Sequence, residues 1–212
     1  MDYLYLHGFA SGPRSKKGRF LQAQFQNLGI SLKMLDLNQP SFETLTVTSQ
    51  LAVLEANLSE EPATLLGSSF GGLLAVLQAI RDSRIEKLVL MAPALQFIKG
   101  WQKDLGEATI ALWRATGQMP VYHYGYGMER NLKPDILDDA ALYDENQLTR
   151  PIPTLILHGH QDTVIPVERS QIFAQNRPYV NLKIFETDHS MESVLEPLWH
   201  EVATFCGLPP SQ

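Results

Sequence analysis

Along this chain a short apolar run repeatedly gives way to a longer stretch whose apolar residues recur at intervals of three and four. The runs at 3–6, 32–37, 63–66, 88–92, 154–157 and 182–185 have strand length, and most are apolar throughout rather than alternating, which predicts strands covered on both faces. The stretches between them carry helical stripes. Leu21, Phe25 and Leu28 form one, stopped by Gly29; Val47, Leu51, Leu54 and Leu58 form another, with Ser41 as its expected cap. Residues 73–80 are so apolar that their helix must be buried on nearly all sides. A helix is expected from Pro166 to about residue 176, and a last one carries Val194, Leu198, Val202 and Phe205 until Gly207 and the prolines after it end the fold. Parallel strands can be joined only by crossovers that run over a face of the sheet. The alternation therefore predicts an α/β fold: a mostly parallel six-stranded sheet with helices on both faces.

Residues 96–150 break this rhythm and read as a lid or cap insertion within one domain spanning 1–212. Within it, 101–113 reads as a helix and 134–143 as a short helix. Residues 121–126 alternate, with Tyr122, Tyr124 and Tyr126 on one side. These tyrosines, with Trp101 and Trp113, either pack the insertion onto the body or line a substrate pocket from above. Pro151 and Pro153 stiffen the return to the sheet.

Several classes of function are disfavoured. No apolar run approaches the roughly 18 residues a membrane span needs, and the opening MDYLYLHGF has neither the basic nor the apolar part of a signal peptide. The single cysteine, Cys206, excludes an intramolecular disulfide. These features favour the cytoplasm. A formal charge of −6 argues against nucleic acid as a partner. The basic cluster Arg14, Lys16, Lys17 and Arg19 reads as a solvated loop and first helical turn; its sharper reading is attraction of an anionic substrate.

In a sheet of this kind ligands bind beyond the carboxyl ends of the strands, and chemistry-bearing motifs stand at such ends. After the third run comes Gly67-Ser68-Ser69-Phe70-Gly71, a G-x-S-x-G between strand and helix. Such a turn strains the backbone of its central serine and requires small neighbours, hence Gly67 and Gly71. It exposes the Ser69 hydroxyl and aims the Phe70 amide at a developing oxyanion. The bland reading is a glycine-rich or phosphate-binding turn, but the lysine of a P-loop is missing. A serine needs a base. Of the histidines, His189 lies just past the last strand, whereas His200 falls inside the final helix and His123 inside the insertion. The base needs an acid, and Asp162 after the fifth run completes the order Ser69, Asp162, His189; Asp188 is a minor alternative. His7-Gly8-Phe9 after the first run offers the Phe9 amide as a second oxyanion donor, with His7 bracing that loop. His158, His160 and Asp162 also have the spacing of metal ligands on an extended segment.

Taken together, His7-Gly8-Phe9, Gly67-Ser68-Ser69-Phe70-Gly71, His158-Gly159-His160-Gln161-Asp162 and Asp188-His189 make the chain resemble an α/β hydrolase along nearly its whole length. The segment from Tyr5 to Pro13 with Ser15-Lys16-Lys17 is similar to that of the YqiA/YcfP-like bacterial esterases. The resemblance implies Ser69, Asp162 and His189 as catalytic residues, Phe9 and Phe70 as oxyanion donors, hydrolysis of carboxylic esters and no cofactor. Two departures stand out: the 96–150 insertion, and a start directly at the strand before His7, without the leading antiparallel strands of larger relatives. A thioesterase or peptidase could use the same residues, so the expected partner is a small-molecule ester with these as rivals. Readings of another class are a non-catalytic binding protein on this fold and a metal-dependent hydrolase built on His158, His160 and Asp162.

Overall fold

The computed structural model describes residues 1–209, apart from the side chains of Ile98 and Lys99; Pro210 and the rest of the expected 1–212 unit lie outside the described residues. The expected strands appear as β1 (Asp2–Leu6), β2 (Leu32–Leu35), β3 (Ala63–Ser68), β4 (Ile85–Met91), β7 (Thr154–Gly159) and β8 (Val180–Phe185). They form one parallel sheet in the order β2-β1-β3-β4-β7-β8. Two further strands, β5 (Met119–His123) and β6 (Met128–Leu132), pair antiparallel in the insertion.

The pleat sorts side chains to the two faces. Leu4, Leu6, Leu65, Leu88, Leu90 and Ile156 point to one face. There α2 (Val47–Asn57), α3 (Phe70–Arg81) and α7 (Val167–Ala174) cover them. Tyr3, Tyr5, Leu66, Val89, Leu155 and Leu157 point to the other, beneath α1 (Lys16–Asn27) and α8 (Leu195–Cys206). Helix α3 is buried from Phe70 to Ala79, as its composition requires, because Ala140 and Leu148 of the insertion close the core that the sheet and α2 leave open.

Several local expectations need correction. Ser41 precedes only a short 3-10 turn (Phe42–Thr44) and makes no side-chain cap there. The cap of α2 is Thr46, which forms a capping box with Ser49: each hydroxyl takes the other residue's amide at 3.0 Å. The helix expected over 101–113 is two helices, α4 (Phe97–Leu105) and α5 (Glu107–Thr116), broken at Gly106, whose φ of 76° an α-helix cannot continue. Residues 121–126 do not form one strand. They leave β5 at His123 and turn toward β6, so only Tyr122 sits on a strand. All three tyrosines are exposed; the residue that packs the insertion down is Trp113, buried, whose Nε1 donates to the Leu132 carbonyl at 2.7 Å. Helix α6 (Asp135–Ala140) is shorter than its expected span.

The strand order sets the place of the site. After β1 the chain turns outward to β2, and after β3 it turns the other way to β4. A crevice opens between the carboxyl ends of two strands whose connections diverge like this. The loop after β1 and the turn after β3 therefore face each other.

Candidate active site

Ser69 stands on the turn from β3 to α3 with φ 53° and ψ −117°, a conformation that costs a non-glycine residue about 1–3 kcal/mol. The surroundings enforce it. The Ser69 amide donates to the Met91 carbonyl at 2.9 Å, and the Ser69 carbonyl accepts the Gly72 amide at 2.9 Å and the Ala94 amide at 3.0 Å. A Cβ on Gly67 would collide with the Gly71 backbone, and one on Gly71 with the Leu6 and His7 carbonyls. The elbow is thus wedged against the end of β1.

The structure brings the expected site residues together. His189 Nδ1 lies 2.7 Å from Asp162 Oδ2 and His189 Nε2 lies 3.0 Å from Ser69 Oγ. Because Nδ1–H donates to the carboxylate, Nε2 is left to accept the serine hydroxyl. Asp162 is held from every side. Its Oδ1 accepts the Val164 and Ile165 amides at 2.9 and 2.8 Å, so Asp162 caps the turn that follows it while Oδ2 meets His189. Burial alone would raise its pKa, but hydrogen bonds from His158, His189 and the Ile165 amide hold the carboxyl well below the ordinary carboxylate range. Asp188, the alternative acid, is exposed and spends Oδ1 on the Ser190 amide and hydroxyl in its own turn.

The loop after β1 lies against the elbow: a Cβ built on Gly8 would stand 3.3 Å from Ser69 Cβ. His7 braces it. Its Nε2 accepts the Leu37 amide at 3.0 Å, so Nδ1 carries the proton and donates to the Gly8 carbonyl at 2.9 Å. The Phe9 amide donates to no acceptor among the described residues. The Phe70 amide is the first of α3, where no intrahelical partner exists. Two unused backbone donors thus stand on the loop and the turn that meet at Ser69.

His158, His160 and Asp162 do not form a metal cluster: no such grouping of ligating side chains occurs among the described residues. His160 is exposed. His158 is fully buried. Its Nε2 faces two acceptors, Asp162 Oδ2 at 3.1 Å and the Ile165 carbonyl at 2.9 Å, and therefore donates, while Nδ1 meets Ser170 Oγ at 2.8 Å. This second imidazole on Asp162 was missed from sequence; the only signal was its fixed distance from Asp162 at the end of a buried run.

Above these groups opens a cleft of about 1020 Å³. Phe9, Phe70 and Phe97 line one flank; Arg14, Lys16 and Lys17 line another; Tyr122, Tyr124 and Tyr126 of the insertion line it too. The hairpin is fastened to the loop after β1. The Tyr124 amide donates to the Ala10 carbonyl at 2.7 Å, and His123 Nε2 reaches Asn38 Oδ1 at 3.3 Å. Asn38 in turn donates to the Ser11 carbonyl at 2.9 Å.

A parallel sheet with helices on both faces, a strained serine after β3 and an insertion after β4 define the α/β-hydrolase fold, and solved structures bear this out. The chain is similar to Est1E from Butyrivibrio proteoclasticus with ferulic acid bound (TM-score 0.77, 19% identity, 96% of this chain and 86% of that one). It is similar to mouse alpha/beta hydrolase domain-containing protein 10 (TM-score 0.77, 21% identity, 97% and 89%) and to the Paleococcus ferrophilus monoacylglycerol lipase (TM-score 0.75, 16% identity, 97% and 93%). More particularly, residues 2–206 match UPF0227, described as an uncharacterised protein family, and the chain belongs to that family. Among curated proteins none matches it.

Proposed function

We propose that this protein is a serine hydrolase that cleaves carboxylic esters of small molecules through an acyl-enzyme. The observation that carries the reading is the unbroken relay from Asp162 through His189 to Ser69, at 2.7 and 3.0 Å, on the floor of an open cleft. Ser69 Oγ attacks the ester carbon while its proton passes to His189 Nε2. The carbonyl electrons move to oxygen, where the Phe9 and Phe70 amides receive the charge. As the tetrahedral species collapses, His189 hands the proton to the departing alkoxide. Water, deprotonated by the same imidazole, then releases the acid and restores Ser69. Asp162 stays ionised throughout, as its hydrogen bonds favour, and stabilises the imidazolium. The reaction asks for no cofactor. Residues 96–150 act as a cap within a single domain, and the setting is cytoplasmic. Support comes from fold relatives that include a monoacylglycerol lipase and Est1E with ferulic acid bound.

Intact-mass analysis after treatment with a fluorophosphonate tests this. One adduct per chain is expected, absent in Ser69→Ala, together with a fall in ester turnover of at least ~10³-fold. An unlabelled but folded wild-type protein would overturn the serine mechanism. A parallel series of esters, thioesters and amides ranks ester cleavage against thioesterase and peptidase activity.

A further inference from the structure

The charges on the cleft wall do not all have partners. Lys16 Nζ is bonded to Glu192 at 2.9 Å. Asp188 is occupied by Ser190, and Asp36 accepts the Asn38 amide and side chain, each at 3.1 Å. Two cations remain. Lys17 is only 6% exposed, and its ammonium makes no hydrogen bond or ion pair among the described residues. Arg14 beside it is exposed and likewise unpaired among those residues. Both line the cleft that holds Ser69 and His189. They stand at the N-terminus of α1, whose first turn has no acidic residue and whose backbone adds its own positive end. A buried, unpaired ammonium is costly. Burial pushes Lys17 down to about 8, against the upward pull of Asp162, Glu192 and Asp188. An entering anion would offset that cost.

The two flanks of the cleft belong to opposite faces of the sheet. Phe9, Phe70 and Phe97 pack with the α3 side, whereas Lys17 starts the helix that covers the other side. Ser69 lies between them. Lys16–Glu192 ties the start of α1 to the segment just after His189. The leaving group collects its proton from His189 and therefore lies on that side, which leaves the aromatic flank to the acyl chain. Resting on the esterase reading, we infer that Lys17, with Arg14, is the anion subsite for the leaving group. The substrate class is an ester or thioester of an apolar acid with an alcohol or thiol that bears a carboxylate or phosphate.

The test compares butyrate esters of 4-hydroxybenzoate and 4-hydroxyphenyl phosphate with that of the near-isosteric, neutral 4-hydroxybenzamide, each kcat/KM divided by the ester's own hydroxide rate. Wild-type enzyme is expected to favour at least one anionic ester about tenfold at low salt, the scale of one charge-assisted hydrogen bond. The benzoate against the phosphate ester shows which anion fits. The advantage should shrink with salt, fall much further in Lys17→Met than turnover of the benzamide ester does, and persist in Lys17→Arg. A second pair, 4-nitrophenyl hemiglutarate against 4-nitrophenyl valerate, moves the charge to the acyl side, where no comparable advantage is expected. Equal rates for charged and neutral leaving groups in the wild type, an advantage only on the acyl side, or an undiminished advantage in Lys17→Met would overturn the subsite while leaving the esterase intact. Turnover of none of the esters would overturn the esterase reading itself. The wild-type comparison holds whether or not the variants fold.

Discussion

Lys17 is held where an uncharged side chain of similar length would be more stable. Its folded pKa of about 8 lies below the ordinary 10.5, so below pH 8 the folded state carries the full penalty of a buried charge. Between 8 and 10.5 the unfolded chain binds more protons than the folded one, and the penalty fades as pH rises. Lys17→Met is therefore expected to stabilise the fold by about 3 kcal/mol at pH 7, and by progressively less above pH 8, in urea titrations at graded pH. Stability gained at the cost of turnover on anionic esters is the pattern of a residue kept for function. Sequence and structure part company here for a physical reason. Ser69, His189 and Asp162 were legible because the elbow needs glycines at fixed offsets and the partners fall at strand ends. A lysine in a Lys-Lys-Gly-Arg run looks solvated, because burial on one side of a helix's first turn depends on what packs over it. His158 was legible as a histidine with chemical potential, yet its task, donating to Asp162, depends on the Ile165 carbonyl folding back to it.

At the scale of elements, the hairpin β5–β6 is the part that local patterning described least well. Its alternation was visible, but the turn begins at His123, and that turn is stabilised by a side chain from far away. His123 Nδ1 accepts the Tyr126 amide at 3.1 Å while Nε2–H donates to Asn38. The Tyr126 ring stacks on the imidazole at 3.8 Å. Burial, with a smaller contribution from His7, holds the His123 pKa below its ordinary 6.5. The hairpin is thus held by the neutral ring, and its docking weakens as pH falls below 6.5, where the unfolded chain takes up a proton that the folded one resists. The expected result is a protection factor for the Tyr126 amide that declines between pH 7 and 5 in hydrogen-exchange NMR, with β3 and β4 amides unaffected; equal protection at both pH values would refute the pH-sensitive latch. The α4–α5 break was similarly hidden, since Gly106 in an apolar-periodic stretch gives no local sign of whether it bends or merely weakens a helix.

For the whole molecule, the alternation of runs foretold the layers and the parallel sheet but not the order β2-β1-β3-β4-β7-β8, because periodicity says which residues are covered and nothing about which strands are neighbours. The insertion's return to the body was marked by its prolines, while the fastening is done by Arg150. Its guanidinium donates to the Ile85, Ala79 and Asp82 carbonyls at 2.9, 3.0 and 2.9 Å, closing the end of α3 and the start of β4 at once. Arg150→Ala is expected to cost about 2–3 kcal/mol in chemical denaturation, with Lys recovering only part because it lacks the fork. Fluorophosphonate labelling of the folded fraction should persist, since this brace lies at the opposite end of the strands from Ser69. The attachment at the near end has a different consequence. The Tyr124 amide is bonded to the Ala10 carbonyl, one residue from the Phe9 amide. The hairpin and the loop after β1 are therefore tied at that point, so a displacement of one is passed to the other.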